Sequence, residues 1–223
     1  MDIFGDNTGT MFHDREDAAV RLAEALSAYR NKHALVLGIP RGGAVTGYHV
    51  AKYLDADFSL LISRKLGHPF NPEYAIGALA EDGTVHVNEH ALSEASQDDI
   101  DQAVARQKKE IERRIQILRK GKPLPEMKDK TVIIVDDGIA TGATIFAAID
   151  MCRKKKASRI VVAAPVSGTE KKEELAKYAD EVVILETPEY YHAVSQAYDS
   201  FQQISDEEAM ELLERWEKEH KKT

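Results

Sequence analysis

The chain has 223 residues, a formal net charge of −8, 43% hydrophobic and 30% charged residues, and a single cysteine, Cys152. That size and balance suit one soluble globular core, the acidic surplus disfavours non-specific nucleic-acid binding by the surface as a whole, and no apolar run approaches the ~20 residues of a membrane-spanning helix. A lone cysteine excludes an intramolecular disulfide, no Cys/His cluster has zinc spacing, and Met1-Asp2-Ile3-Phe4-Gly5-Asp6 has neither the basic nor the apolar part of a secretory signal, so a reducing cytoplasmic setting is expected.

Asp14-Arg15-Glu16-Asp17 opens a helix, with Asp14 as cap and acids in the first turn, continued by Val20, Leu22, Ala23 and Leu26. Ala34–Ile39 reads as a buried strand, Pro40-Arg41-Gly42-Gly43 as a sharp loop, Ala44–Leu54 as a helix and Phe58–Ser63 as a second strand. Strand, glycine loop, helix, strand is a βαβ unit, which implies a parallel sheet with a right-handed crossover. Arg64 to Gly83 shows no clean periodicity and reads as a long loop, functional or mobile, with Val85–Val87 as a short returning strand. Ser93–Arg119 reads as a long helix, ended by Pro123 and Pro125. Thr131–Val135 is the strongest strand, followed by a polar loop and a helix to about Lys155; Arg159–Ala164 and Glu181–Leu185 are further strands, with a helix around Glu170–Tyr178 between them. Ser205 and Glu208 form a capping box for a last helix that gathers Ala209, Leu212, Leu213 and Trp216 on one face. The alternation gives an α/β fold class.

One stretch opposes the overall charge. Arg106 to Lys122 carries eight basic residues against Glu110 and Glu112. A solvated amphipathic helix face is the expectation; an anion- or RNA-facing surface is the alternative.

Ligands of open parallel sheets bind beyond the carboxyl ends of the strands. After Val135, the adjacent carboxylates Asp136 and Asp137 can accept from a vicinal diol or hold a hard cation. Thr141-Gly142-Ala143-Thr144 then offers two hydroxyls, a glycine and the free N–H groups of a starting helix, which together make a phosphate cradle. Diol acceptors followed by a phosphate cradle fit a ribose 5-phosphate. A Walker A loop is excluded, because Ala143 and not lysine precedes Thr144. The acid-ended strand of a phospho-acceptor or phosphatase domain needs partner residues that this sequence does not offer.

The run Val132-Ile133-Ile134-Val135-Asp136-Asp137-Gly138-Ile139-Ala140-Thr141-Gly142-Ala143-Thr144 resembles the 5-phosphoribosyl-1-pyrophosphate (PRPP) motif of type I phosphoribosyltransferases. The resemblance extends over the whole chain, towards the subgroup whose acceptor is unassigned. It implies a central parallel sheet flanked by helices, with residues 34–186 as core, a small hood and terminal helices from 1–30 and 187–223, a flexible loop at 64–84 and a long helical insertion at 93–120. It implies PRPP contacts from Asp136, Asp137, Gly138 and Ala140 to Thr144, and a pyrophosphate loop at Gly38 to Gly43 with Arg41, Gly42 and Gly43. Lys65, with Arg64 second, would close over pyrophosphate; His68 is read as a loop histidine. Tyr191 or Tyr190 stands where the family stacks an aromatic on the base, although core packing explains such a residue equally well.

The activity implied is Mg²⁺-dependent transfer of ribose 5-phosphate from PRPP to a nitrogenous base or amine. Asp137, Lys65 and Arg41 would be its catalytic residues, and Asp136 would meet the metal mainly through the substrate. A homodimer is expected, and neither a membrane nor a nucleic-acid partner. The alternatives are a catalytically silent PRPP or nucleotide sensor, RNA-binding in one version, and an enzyme that uses the same pocket for phosphorolysis.

Overall fold

The computed structural model describes residues 10–68, 71–88 and 95–220, with 72 and 73 by their backbone alone. In chain order the elements are α1 (Arg15–Ala25), β1 (Leu35–Gly38), α2 (Gly42–Leu54), β2 (Asp57–Leu60), β3 (Ser63–His68), β4 (Asn71–Ala80), β5 (Val85–Val87) and α3 (Gln97–Arg119). Then follow β6 (Thr131–Val135), α4 (Ala143–Lys154), β7 (Arg159–Val166), α5 (Thr169–Leu175), β8 (Glu181–Glu186) and α6 (Asp206–Glu219). The predicted caps are present: Asp14 accepts the Asp17 N–H at 2.9 Å, and Ser205 with Glu208 closes the capping box of α6.

Five strands form a parallel sheet in the order β2-β1-β6-β7-β8. Successive side chains of a strand point to opposite faces, and here both faces are covered, which is why Val132 to Val135 is apolar without alternation. Ile133, Val135, Val161 and Ala163 pack with α1, α2 and α6 on one side. Val132, Ile134, Ile160 and Val162 pack with α4 on the other. Val20, grouped with the apolar face of α1 by its sequence, is 46% exposed instead.

The segment 64–84 departs from expectation. Its described residues form not a structureless loop but part of an antiparallel sheet, β3-β4-β5, in which Arg64 pairs with Leu79 and Leu79 with Val85; 69 and 70 lie outside the described residues. Leu66, Ile76 and Leu79 pack on the side of α3, whereas Ala78 and Ala80 join the cluster around α4. Apolar residues are wanted on both faces, so the two-residue alternation that marks a half-exposed strand is missing. Several boundaries also move. The second strand stops at Leu60 and Ser63 already belongs to β3; α5 stops at Leu175 rather than near Tyr178; and α3 is described from Gln97, capped by Ser96, so Ser93 lies outside the described residues.

The basic stretch of α3 is largely paired. Arg113 and Arg114 meet Glu110, Lys120 meets Glu214 and Lys122 meets Glu217 of α6, which docks on α2 and α3. Arg119 is buried and forks onto Glu81, at 3.0 and 2.5 Å, with a third bond to the Leu60 carbonyl at 3.1 Å. Glu81 also accepts the Ile62 N–H at 2.9 Å, so one ion pair fixes the turn from which β3 departs.

Candidate active site

Gly38 and Val135 are register partners in adjacent parallel strands, so the loops that follow them emerge side by side at the carboxyl end of the sheet. The first loop turns through a cis Pro40–Arg41 peptide into α2, with Arg41 as the exposed residue before the helix. Its Gly42 lies directly against the second loop: a Cβ there would stand 1.8 Å from Oδ2 of Asp137. Only glycine allows that approach. The glycine loop and the acid pair, separated in sequence by almost a hundred residues, are thus one surface.

Beyond the acids, Ile139 N–H bonds to the Val166 carbonyl at 2.9 Å, and Gly138 packs its Cα against Val194 and Val166. The chain then turns at Gly142, whose φ of +73° is natural for glycine, into α4. The first N–H groups of a helix have no intrahelical partner and lie at the positive end of its dipole. Ala140 and Thr141 are exposed while Ala143 and Thr144 are half-buried at this end, and the Thr144 carbonyl accepts from Ser63 at 3.2 Å. That bond ties the root of β3 to the cradle. Lys65 is exposed on the same strand face as Ser63, two residues on. Arg64 points the other way, with Nε donating to Gln107 of α3 at 3.1 Å. It therefore faces α3 rather than the cradle.

The two acids differ. Asp136 is half-buried; burial and then the neighbouring Asp137 carboxylate push its pKa well above the usual carboxylate range. Its Oδ1 accepts the Asp137 N–H at 2.9 Å. Asp137 is buried, and its Oδ2 accepts from Nε of Arg15 at 2.6 Å.

Arg15 was not legible as a site residue, and neither was Tyr198, whose hydroxyl donates to the Asp137 carbonyl at 2.5 Å. Both belong to terminal segments laced together over the strand ends. Met11 and Phe12 N–H groups bond to the Ala197 carbonyl at 3.0 and 2.9 Å, and Asp199 N–H returns to Phe12 at 2.9 Å. Burial, then the charge of Asp137, raises the pKa of Tyr198 and keeps it the protonated donor. One signal for Arg15 existed: a cation at the first position of a helix opposes the dipole and needs another reason to be there.

Tyr191 is half-buried near Gly168, and its buried hydroxyl has no hydrogen-bond partner among the described residues. Burial, then Asp137 and Asp136, raises its pKa, which puts the hydroxyl within the field of the acid pair. Tyr190 is 78% exposed. From α5, the Lys171 stem packs on Gly142, where a Cβ would meet its Cδ at 3.0 Å, and its ammonium pairs with Glu174. Among the described residues no group of three or more His, Cys, Asp or Glu is placed to hold a metal by itself.

A parallel sheet of this order, with acid pair, glycine loop and helix N-terminus at its carboxyl end, is the type I phosphoribosyltransferase fold. Residues 9–201 match the model of the phosphoribosyl transferase domain, and the chain belongs to that family. A Mycobacterium tuberculosis protein that carries phosphoribosyl transferase as a provisional name, in strains H37Rv and CDC 1551, is 41% identical over 207 residues, 92% of this chain. The match covers 47% of that protein, so the chain spans about half the length of the curated relatives it matches. The crystal structure of TT1426 from Thermus thermophilus is 38% identical with a TM-score of 0.80, covering 92% of this chain and 98% of that one. No described helix is long and apolar enough to cross a membrane.

Proposed function

We propose that this domain binds PRPP and transfers its ribose 5-phosphate to a nitrogenous base or amine, releasing pyrophosphate. The observation that carries this reading is the contact of Gly42 with Asp137: it joins an arginine-bearing glycine loop to an acid pair that leads into a helix N-terminus. In this reading the Thr141–Thr144 segment holds the 5-phosphate through backbone N–H groups and hydroxyls. The acid pair meets the 2′- and 3′-hydroxyls, and Arg41, Gly42 and Gly43 meet the diphosphate, arginine being suited to bidentate phosphate contact.

Breaking the C1–O bond places positive charge on the sugar and negative charge on the departing diphosphate. Arg41 and Lys65 answer the negative charge and the acid pair favours the positive, and such preorganised electrostatics is ordinarily the largest contribution to catalysis. The acceptor nitrogen bonds to C1 as the C1–O bond breaks, and its proton leaves to solvent. The donor set suits Mg²⁺, since carboxylate oxygen from Asp136 and the ligand's own phosphate oxygens are hard ligands. Once bound, that ion would neutralise charge on the leaving diphosphate. The β3–β4 ribbon, rooted at the cradle by Ser63, is the element able to keep competing water from C1. Tyr191, whose hydroxyl has no partner among the described residues, lines the acceptor side, and Tyr190 stands exposed beside it.

The test is pyrophosphate release by the purified chain from PRPP and Mg²⁺ with purines, pyrimidines and nicotinate offered singly. Release that requires both PRPP and one base is expected. Turnover that needs inorganic phosphate instead would indicate phosphorolysis, and PRPP binding without turnover on any base would indicate a sensor.

A further inference from the structure

Arg15 occupies the first position of α1, where the helix dipole disfavours a cation, yet its side chain is only 9% exposed. Three contacts hold it. Nε donates to Oδ2 of Asp137 at 2.6 Å, Nη1 donates to the Gln202 carbonyl at 2.6 Å, and the guanidinium lies 3.8 Å from the ring centre of Phe201. Asp137 is correspondingly enclosed, with its side chain 11% exposed, its carbonyl taken by Tyr198 and its carboxylate against Gly42. Asp136 has no ion-pair partner among the described residues.

We propose that Arg15 is a positioning residue of this site, acting through Asp137. It takes up one of two adjacent negative charges at the end of β6 and locks the Asp137 carboxylate against the glycine loop, so that Asp136 is left as the one uncompensated acid of the pair that meets the ligand. The inference rests on the PRPP reading of the site. PRPP carries phosphate at both ends, and two uncompensated carboxylates beside it would repel it; one buried guanidinium halves that charge without itself entering the ligand's place. The same residue bonds to Gln202, which ties the laced terminal segments to the acid loop and makes their seating a condition of the loop's shape.

A charge role has a signature that a packing role lacks: removing the second charge repairs the loss of the first. The full chain with Mg²⁺ is titrated calorimetrically with PRPP as wild type, Arg15→Leu, Asp137→Asn and the double variant, and each is melted to establish folding. Arg15→Leu weakens PRPP binding by at least about tenfold, and the double variant returns to within about threefold of Asp137→Asn alone. Wild-type affinity in Arg15→Leu, or losses that simply multiply in the double variant, would overturn the proposal. Should Arg15→Leu fail to fold, Arg15→Lys carries the test, since it keeps the charge and loses the fork. Binding weakened by about threefold or more is then expected, and anything closer to wild type contradicts a positioning role. The wild-type titration separates the two levels. No PRPP binding there removes the functional reading and this inference with it, whereas equal binding by wild type and Arg15→Leu removes the inference alone.

Discussion

Asp136 and Asp137 are adjacent in sequence and sit in different electrostatic surroundings. One is enclosed by Arg15, Tyr198 and Gly42; the other is half-buried beside a like charge and unpaired among the described residues. A carboxyl whose pKa is raised on folding weakens the fold as pH rises from its unfolded value to its folded one, so the burial of Asp136 beside a like charge costs stability as that window is crossed. Asp136→Asn keeps the Oδ1 acceptor of the Asp137 N–H and removes the charge. It is expected to raise the melting temperature, by an amount corresponding to about 1–2 kcal/mol, while PRPP affinity falls steeply. A lower melting temperature would show that Asp136 is structural. Most of this chemistry was legible as a motif, because hydroxyl acceptors, glycine and helix N-terminus must follow one another within a single loop. The residues that complete it were not. Arg15 and Tyr198 reach the loop from terminal segments, and Arg15 left only a misplaced charge as its mark, overlooked beside the acids of its first turn.

At the level of elements, the β3–β5 sheet was the principal misreading. Glycines and prolines suggested a loop, and burial between α3 and α4 removed the alternation that would have spoken for strands. The consequence is functional: Lys65 rides on a paired strand anchored to the cradle, not on a free loop. Lys65→Ala is expected to lower turnover more than PRPP affinity, and unchanged turnover in steady-state kinetics would remove the residue from the mechanism. On α3, the hydrogen bond from Arg113, then that from Arg114, holds the Glu110 pKa down at about 2 against burial. Its contribution is complete above pH 4.5 and lost as pH falls toward about 2. The group is close to solvent, so Glu110→Gln should reduce stability by no more than about 1 kcal/mol at neutral pH, with the difference vanishing in acid. Urea titrations of both proteins across that range decide it.

In the molecule as a whole, the pair of Arg119 and Glu81 binds α3, β4 and the end of β2 into one unit. Arg119→Met leaves a buried carboxylate without its cation and should cost about 3–5 kcal/mol, much of it recovered by adding Glu81→Leu. The protein's one tryptophan, Trp216, lies 6.3 Å from Phe58 and reports this loss by fluorescence during urea unfolding. Cys152 offers an independent probe. Fully buried, its thiol is pushed up to about 12, so a thiol reagent should label the chain only at the rate of global unfolding. Rapid labelling of the native protein would mean that α4 opens locally. The α/β class and the parallel sheet were readable from the chain because buried strands alternate with amphipathic helices. What lay beyond sequence was how terminal segments some two hundred residues apart close over the same strand ends, since no local pattern encodes that pairing.

The most direct test of the central claim is a calorimetric titration of the purified chain with PRPP in the presence of Mg²⁺, set beside Asp136→Asn. Saturable binding to one site in the micromolar range, lost in the variant, is the expected result. No binding by the wild-type protein, or equal binding by both, would contradict the assignment of this strand-end loop as the PRPP site.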